Sequence, residues 1–115
     1  MKQQVYLHYK EIELGFLTQQ ENCFVWVPNS DNIQYFMMRY DGASDLFFLN
    51  KTEPALYISI PYHFIDFVES SSRPDLAQKA GIVESDSDFD RLYKMATLDY
   101  ADDEFVIKRS NWYVW

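Results

Sequence analysis

Few side chains in this sequence stand at spacings that chemistry needs. His63, Asp66 and Glu69 fall three residues apart, so on a helix they would share one face. Metal ions are often held by ligands spaced in that way. A closed site needs more donors, and the only other histidine, His8, sits in a stretch that reads as a strand. A structural or solvent-facing role is the expectation for all three. Glu84, Asp86, Asp88 and Asp90 alternate with Ser85, Ser87 and Phe89, which superficially resembles a calcium loop. Such a loop turns on a central glycine and closes with a bidentate glutamate at its twelfth position, where this chain has Met95. Helix capping and a solvated acidic loop account for the run more simply. Cys23 lies in the apolar stretch Cys23-Phe24-Val25-Trp26-Val27, without the histidine or the electropositive setting that activates a thiol. It reads as a small buried hydrophobe in a reducing, cytoplasmic setting.

Composition removes further classes. The chain has three glycines where average usage would give about eight. Gly15, Gly42 and Gly81 are far apart, so no glycine-rich phosphate cradle can be assembled from them. No enzyme activity, metal or other cofactor is expected. Ten basic and 18 acidic residues give a net charge of −8, which repels a phosphate backbone and argues against direct nucleic-acid binding. Nine Phe, nine Tyr and three Trp within 48% hydrophobic content exclude a disordered chain. No apolar run approaches the roughly 20 residues of a membrane span, and no apolar signal-peptide core follows Met1.

The charge is unevenly placed. Glu84, Asp86, Asp88, Asp90, Asp99, Asp102, Asp103 and Glu104 stand against only Arg91 and Lys94, so −6 of the −8 falls between residues 84 and 104. Such a concentration steers a cationic partner, and it can also imitate the phosphates of DNA before a DNA-binding protein. The final Trp112-Tyr113-Val114-Trp115 is either a docked last strand or a pair of interface anchors, since Trp and Tyr dominate binding hot spots. These eight acids together with Trp112 and Trp115 form the candidate partner-binding set.

The elements that must position these residues follow from periodicity. Val5, Leu7 and Tyr9 alternate with Tyr6, His8 and Lys10, and Ile12, Leu14 and Phe16 continue the pattern, with Gly15 as a bend or bulge. Phe24–Val27, Ile33–Tyr40, Leu46–Leu49 and Leu56–Ile60 read as further strands, separated by Pro28-Asn29-Ser30-Asp31, Asp41-Gly42 and Asn50–Pro54. Beyond Pro61 the period changes. Phe64, Ile65, Phe67 and Val68 fit a short helix, Pro74 to Ala80 a second ending on Gly81, and Ser87 caps a third carrying Phe89, Leu92, Tyr93 and Ala96 on one face. Asp90 and Lys94 are spaced for an ion pair on its outer side. Phe105 to Ile107 forms a late strand. The reading is a single α+β domain over residues 1–115: an antiparallel β-meander in the N-terminal half, two or three short helices, and a late C-terminal strand.

The order of short motifs adds a resemblance. Val5-Tyr6-Leu7, Glu13-Leu14-Gly15-Phe16-Leu17-Thr18, Tyr57-Ile58-Ser59-Ile60-Pro61, Phe64-Ile65-Asp66-Phe67, Leu76–Ile82 and Phe89–Met95 together resemble the N-terminal subdomain of HipA-type toxin kinases. Val68-Glu69-Ser70-Ser71 stands where that family carries Leu-Leu-Pro, and the glycine-rich end leading into the kinase core is replaced by Asp99–Asp103. The kinase body has no counterpart here. The resemblance implies a free-standing subdomain of the antitoxin kind that binds a separate kinase chain and holds it inactive. The expectation is a non-catalytic inhibitor of a protein target with a basic surface; the alternative is an anti-defence protein of a phage or mobile element that mimics DNA. A homodimer is compatible with either.

Overall fold

The computed structural model describes residues 3–39, 53–102 and 105–109, with the side chain of Asp102 left aside. Among the described residues there are six strands: β1 Gln4–Tyr9, β2 Ile12–Gln19, β3 Phe24–Pro28, β4 Ala55–Tyr57, β5 Ala101–Asp102 and β6 Phe105–Lys108. They form one sheet in the order β4-β3-β2-β1-β6-β5, with every neighbouring pair antiparallel. The helices among the described residues are α1 Ser30–Arg39, α2 Ile65–Ser70, α3 Pro74–Ala80 and α4 Asp88–Ala96, with a 3-10 turn at Tyr62–Phe64 leading into α2. The architecture is therefore α+β, with a meander from β1 to β3 and a late strand, as the periodicity implies.

Alternation explains the sheet. Val5, Leu7 and Tyr9 turn inward from β1 and meet Leu17 and Trp26 from β2 and β3 and Ile107 from β6. The opposite side of the same strands carries Tyr6 and Phe16, whose rings stand 5.3 Å apart. The turn from β1 to β2 is Lys10-Glu11, with Lys10 at a left-handed φ of 54°. This corrects the reading of Val5 to Phe16 as one uninterrupted pattern, because the turn uses no glycine, proline or asparagine.

Gly15 is a bulge. The register steps from Leu7 opposite Gly15 to His8 opposite Glu13, which leaves Leu14 as the extra residue. Leu14 and Leu17 are then both buried where strict alternation would separate them. Gly15 has φ 147°, and a Cβ there would lie 2.5 Å from the Val27 carbonyl oxygen and 2.9 Å from Pro28 Cα. Only glycine lets β2 and β3 approach this closely.

Two expectations are corrected here. Ile33–Tyr40 is not a strand: residues 30 to 39 form α1. Asn29 caps it, its Oδ1 accepting from the Asn32 amide at 3.2 Å while its carbonyl accepts from Ile33. The apolar positions that pack inward, Ile33, Phe36 and Met37, fall at i, i+3 and i+4. The polar Asn29-Ser30-Asp31 thus follows the end of β3, as expected, and also starts a helix. Leu56–Ile60 is also shorter than expected, since β4 ends at Tyr57 and the chain bends at Ile58-Ser59 before Pro61. Tyr40, the Asp41-Gly42 hairpin and the Leu46–Leu49 strand lie outside the described residues.

Phe64, Phe67, Phe89, Leu92, Met95 and Ala96 join the inward face of the sheet in one apolar cluster with Ile33 and Phe36. Pro74 opens α3 and Gly81, at φ 76°, closes it. Ser87 caps α4 reciprocally: the Asp90 amide donates to Ser87 Oγ at 3.2 Å and the Ser87 amide to Asp90 Oδ2 at 3.4 Å. Among the described residues no helix is long and apolar enough to cross a membrane.

A candidate interaction surface

The acidic run divides in the folded chain. Glu84, Asp88 and Asp90 are exposed together at the start of α4, where the capping box fixes the backbone that carries them. Carboxylates in the first helical turn also complement the positive end of the helix dipole. Asp86 is different. Its Oδ2 accepts from the Val83 amide at 2.9 Å and from Lys94 Nζ at 2.7 Å, while Lys94 also donates to the Gly81 carbonyl at 3.0 Å. The expected Asp90–Lys94 pair is thus replaced by Asp86–Lys94, because the loop after α3 folds back onto the helix. The Lys94 hydrogen bond holds the Asp86 carboxyl below its usual range. Asp86 clamps a loop and is no free surface charge.

Asp99 is exposed beyond the far end of α4, at a left-handed φ of 49°. The helix rises about 1.5 Å per residue, so its nine residues separate Asp99 from the first group by roughly 13 Å. Asp102 lies in β5 at a sheet edge. Asp103, Glu104, Trp112 and Trp115 lie outside the described residues. Three of the ten expected partner-binding residues, Glu84, Asp88 and Asp90, are therefore exposed in or just before the first turn of α4, with Asp90 also engaged in the cap.

The histidine motif comes apart. His63 faces inward, its ring 4.7 Å from Trp26 and 4.8 Å from Phe64, and burial pushes its pKa down to about 3. Asp66 and Glu69 point outward to solvent. His8 is buried on the side of β1 opposite Leu7, and its Nδ1 has no hydrogen-bond partner among the described residues. Burial first, and then the charge of Lys108, lowers its pKa to about 4 against a weaker opposing pull from Asp99. Both rings are neutral near pH 7. Among the described residues no group of three or more His, Cys, Asp or Glu is placed to hold a metal ion. Cys23 is half-buried at the start of β3, with its carbonyl accepting from the Gln20 amide.

An apolar surface beside β4 was not anticipated from sequence. Leu56 is 72% exposed, Ile58 92% and Tyr62 89%. Leu56 pairs with Val25 and so points to the side opposite the inward Trp26 and Phe24. The two surfaces are linked through the interior: Phe89, in the first turn of α4, stacks at 6.2 Å on Phe24, which pairs with Tyr57 of β4. Between the β2–β3 turn and α4 lies an open hollow of about 370 Å³ lined by Gln3, Gln19, Gln20, Glu21 and Phe89. Phe89 gives it an apolar floor among polar and acidic walls, and its open form suits a surface contact better than an enclosed small molecule. The signal in the sequence was the run Ala55-Leu56-Tyr57-Ile58, apolar at every position, on a strand too short to bury both faces.

Comparison with protein-family models, with curated proteins and with solved structures finds no match.

Proposed function

We propose that this chain is a non-catalytic inhibitor, an antitoxin-like module that binds and restrains a separate protein bearing a basic surface. The observation that carries this reading is the group of exposed carboxylates, Glu84, Asp88 and Asp90, held on a capped helix start. A rigid display costs little ordering on binding, so its charge acts directly on encounter. The partner's function is blocked by occupation of the basic surface it needs. The resemblance to the N-terminal subdomain of HipA-type kinases makes a separate kinase chain the first class of target to test.

Capture with a tagged chain from the native host, followed by identification of the bound protein and assay of its activity, tests the proposal. The expected result is one dominant basic-surfaced partner whose activity falls as the chain is added. The triple variant Glu84→Gln, Asp88→Asn, Asp90→Asn weakens capture about tenfold or more. Absence of any partner, or capture indifferent to the triple variant, overturns the proposal. Asp86 is left intact in this design because its loss would disturb the loop after α3.

A further inference from the structure

We infer that Lys94 is a positioning residue for the proposed partner-binding surface, latching the turn Val83–Asp86 so that Val83 and Glu84 are presented in fixed register with Asp88 and Asp90. Such a role deepens the proposed function and rests on it. The turn is closed twice by its own end residues. The Asp86 amide donates to the Val83 carbonyl at 3.1 Å, and the Val83 amide donates to Asp86 Oδ2 at 2.9 Å. Glu84 and Ser85 between them are exposed, and so is the apolar Val83.

The capping box fixes the chain from Ser87 onward, and Gly81 ends α3. Lys94 spans the gap between these two fixed points. Long side chains on a helix lean toward its N-terminus, which carries the Lys94 ammonium from the last turn of α4 back to the turn. There it donates to Asp86 Oδ2 at 2.7 Å and to the Gly81 carbonyl at 3.0 Å. One cation therefore holds the residue at the close of the turn and the residue where α3 ends. The Asp86 side chain is 12% exposed and that of Lys94 34%, so salt screens this pair less than the open Arg73–Asp75 pair. Arg91, one turn earlier on α4, adds only a weaker pull on the Asp86 carboxyl.

A latch and simple steering predict opposite effects of the same substitution. Lys94 is a cation within an acidic run, so removing its charge makes the chain more negative and, by steering alone, attracts a basic partner more strongly. A turn that must be held gives the reverse, because Val83 and Glu84 then have to be ordered at the moment of binding.

Lys94→Gln, Lys94→Arg and Lys79→Gln are compared in the full chain. Lys79 is exposed on α3, and its substitution makes the same change of charge away from the latch. Amide hydrogen exchange followed by NMR reads the turn, and surface plasmon resonance reads binding of the partner captured by the parent chain. The expected result is that Lys94→Gln speeds exchange at the Val83 and Asp86 amides about tenfold, with the change confined to residues 81 to 87. It also weakens binding about threefold despite the added negative charge. Lys94→Arg keeps both properties, and Lys79→Gln changes neither exchange nor binding for the worse. Val83→Asn leaves the latching groups in place and gives a second reading if Lys94→Gln fails to fold; it weakens binding about threefold, and indifference to it overturns the presentation of Val83. Unchanged exchange in Lys94→Gln overturns the latch, and loosening spread through α4 reduces Lys94 to a support of the helix. Faster exchange with binding equal to or tighter than the parent's overturns the positioning role and leaves the proposed function standing. Faster exchange with no captured partner at all overturns the proposed function and, with it, the role given to Lys94.

Discussion

His8 and His63 carry a pH dependence whose sign follows from their burial. Both have folded pKa values below the ordinary 6.5, at about 4 and about 3. Below pH 6.5 the unfolded chain binds protons on both rings while the folded chain does not, so acid favours unfolding. Their contribution is whole above pH 6.5 and is lost as pH falls toward 4 for His8 and 3 for His63. Asp86 acts in a lower window, because its depressed pKa makes its contribution disappear only below the ordinary carboxylate range. Thermal unfolding should therefore show a fall in Tm between pH 6.5 and 4.5 that precedes carboxylate protonation. His8→Gln should shallow that fall, and a variant with the same pH profile as the parent would remove His8 from the account. None of this was legible from the spacing of His63, Asp66 and Glu69. The 3-10 turn at Tyr62–Phe64 rotates His63 inward while α2 carries Asp66 outward, and that break in helical phase leaves no mark in a pattern of residue types.

At the scale of the element, what sequence reveals depends on how local the decisive interaction is. The start of α4 is legible because Ser87 and Asp90 satisfy each other within one turn. Ser87→Ala should cost about 1 kcal/mol in denaturant unfolding, and a loss below a few tenths would mean that the cap does not hold the helix start. α1 is the opposite case. Its Ile33, Tyr35 and Met37 imitate a strand period, and it is the tertiary burial of Ile33 and Phe36, added to the local Asn29 cap, that favours the helix, with the Phe36 ring 4.8 Å from Tyr9. The bulge at Gly15 was legible as a glycine in a strand, but the reason for it lies on β3. Gly15→Ala places a methyl group against the Val27 carbonyl and adds a φ that alanine rarely adopts. We expect a loss of more than about 1 kcal/mol by chemical denaturation, and an alanine variant of unchanged stability would show that β2 and β3 can part without cost.

Across the whole molecule, the α+β class was legible, while the order of the strands was not. β6 inserts beside β1, pairing Ile107 with Leu7 across about a hundred residues of chain, and no local pattern encodes a partner that distant. The division of the acids by α4 was hidden in the same way, since a linear count of charge cannot show which carboxylates are turned toward lysine and which toward solvent. If the chain binds a partner as proposed, the two surfaces would differ in their kinetic effect. Exposed carboxylates act over a Debye length, about 30 Å at 0.01 M salt and about 8 Å at 0.15 M, and so would govern encounter with the proposed partner. The exposed apolar Leu56, Ile58 and Tyr62 would act only at contact, and so would govern how long a proposed complex lasts. For the captured partner, the association rate should fall steeply as salt rises, and the triple variant Glu84→Gln, Asp88→Asn, Asp90→Asn should flatten that dependence with little change in dissociation. Leu56→Lys should do the converse, raising the dissociation rate about tenfold while largely keeping the salt slope. Surface plasmon resonance across a salt series measures both rates on the same complex. A triple variant that changes only dissociation, or a Leu56 variant that changes only association, would mean that the two surfaces do not divide the work in this way.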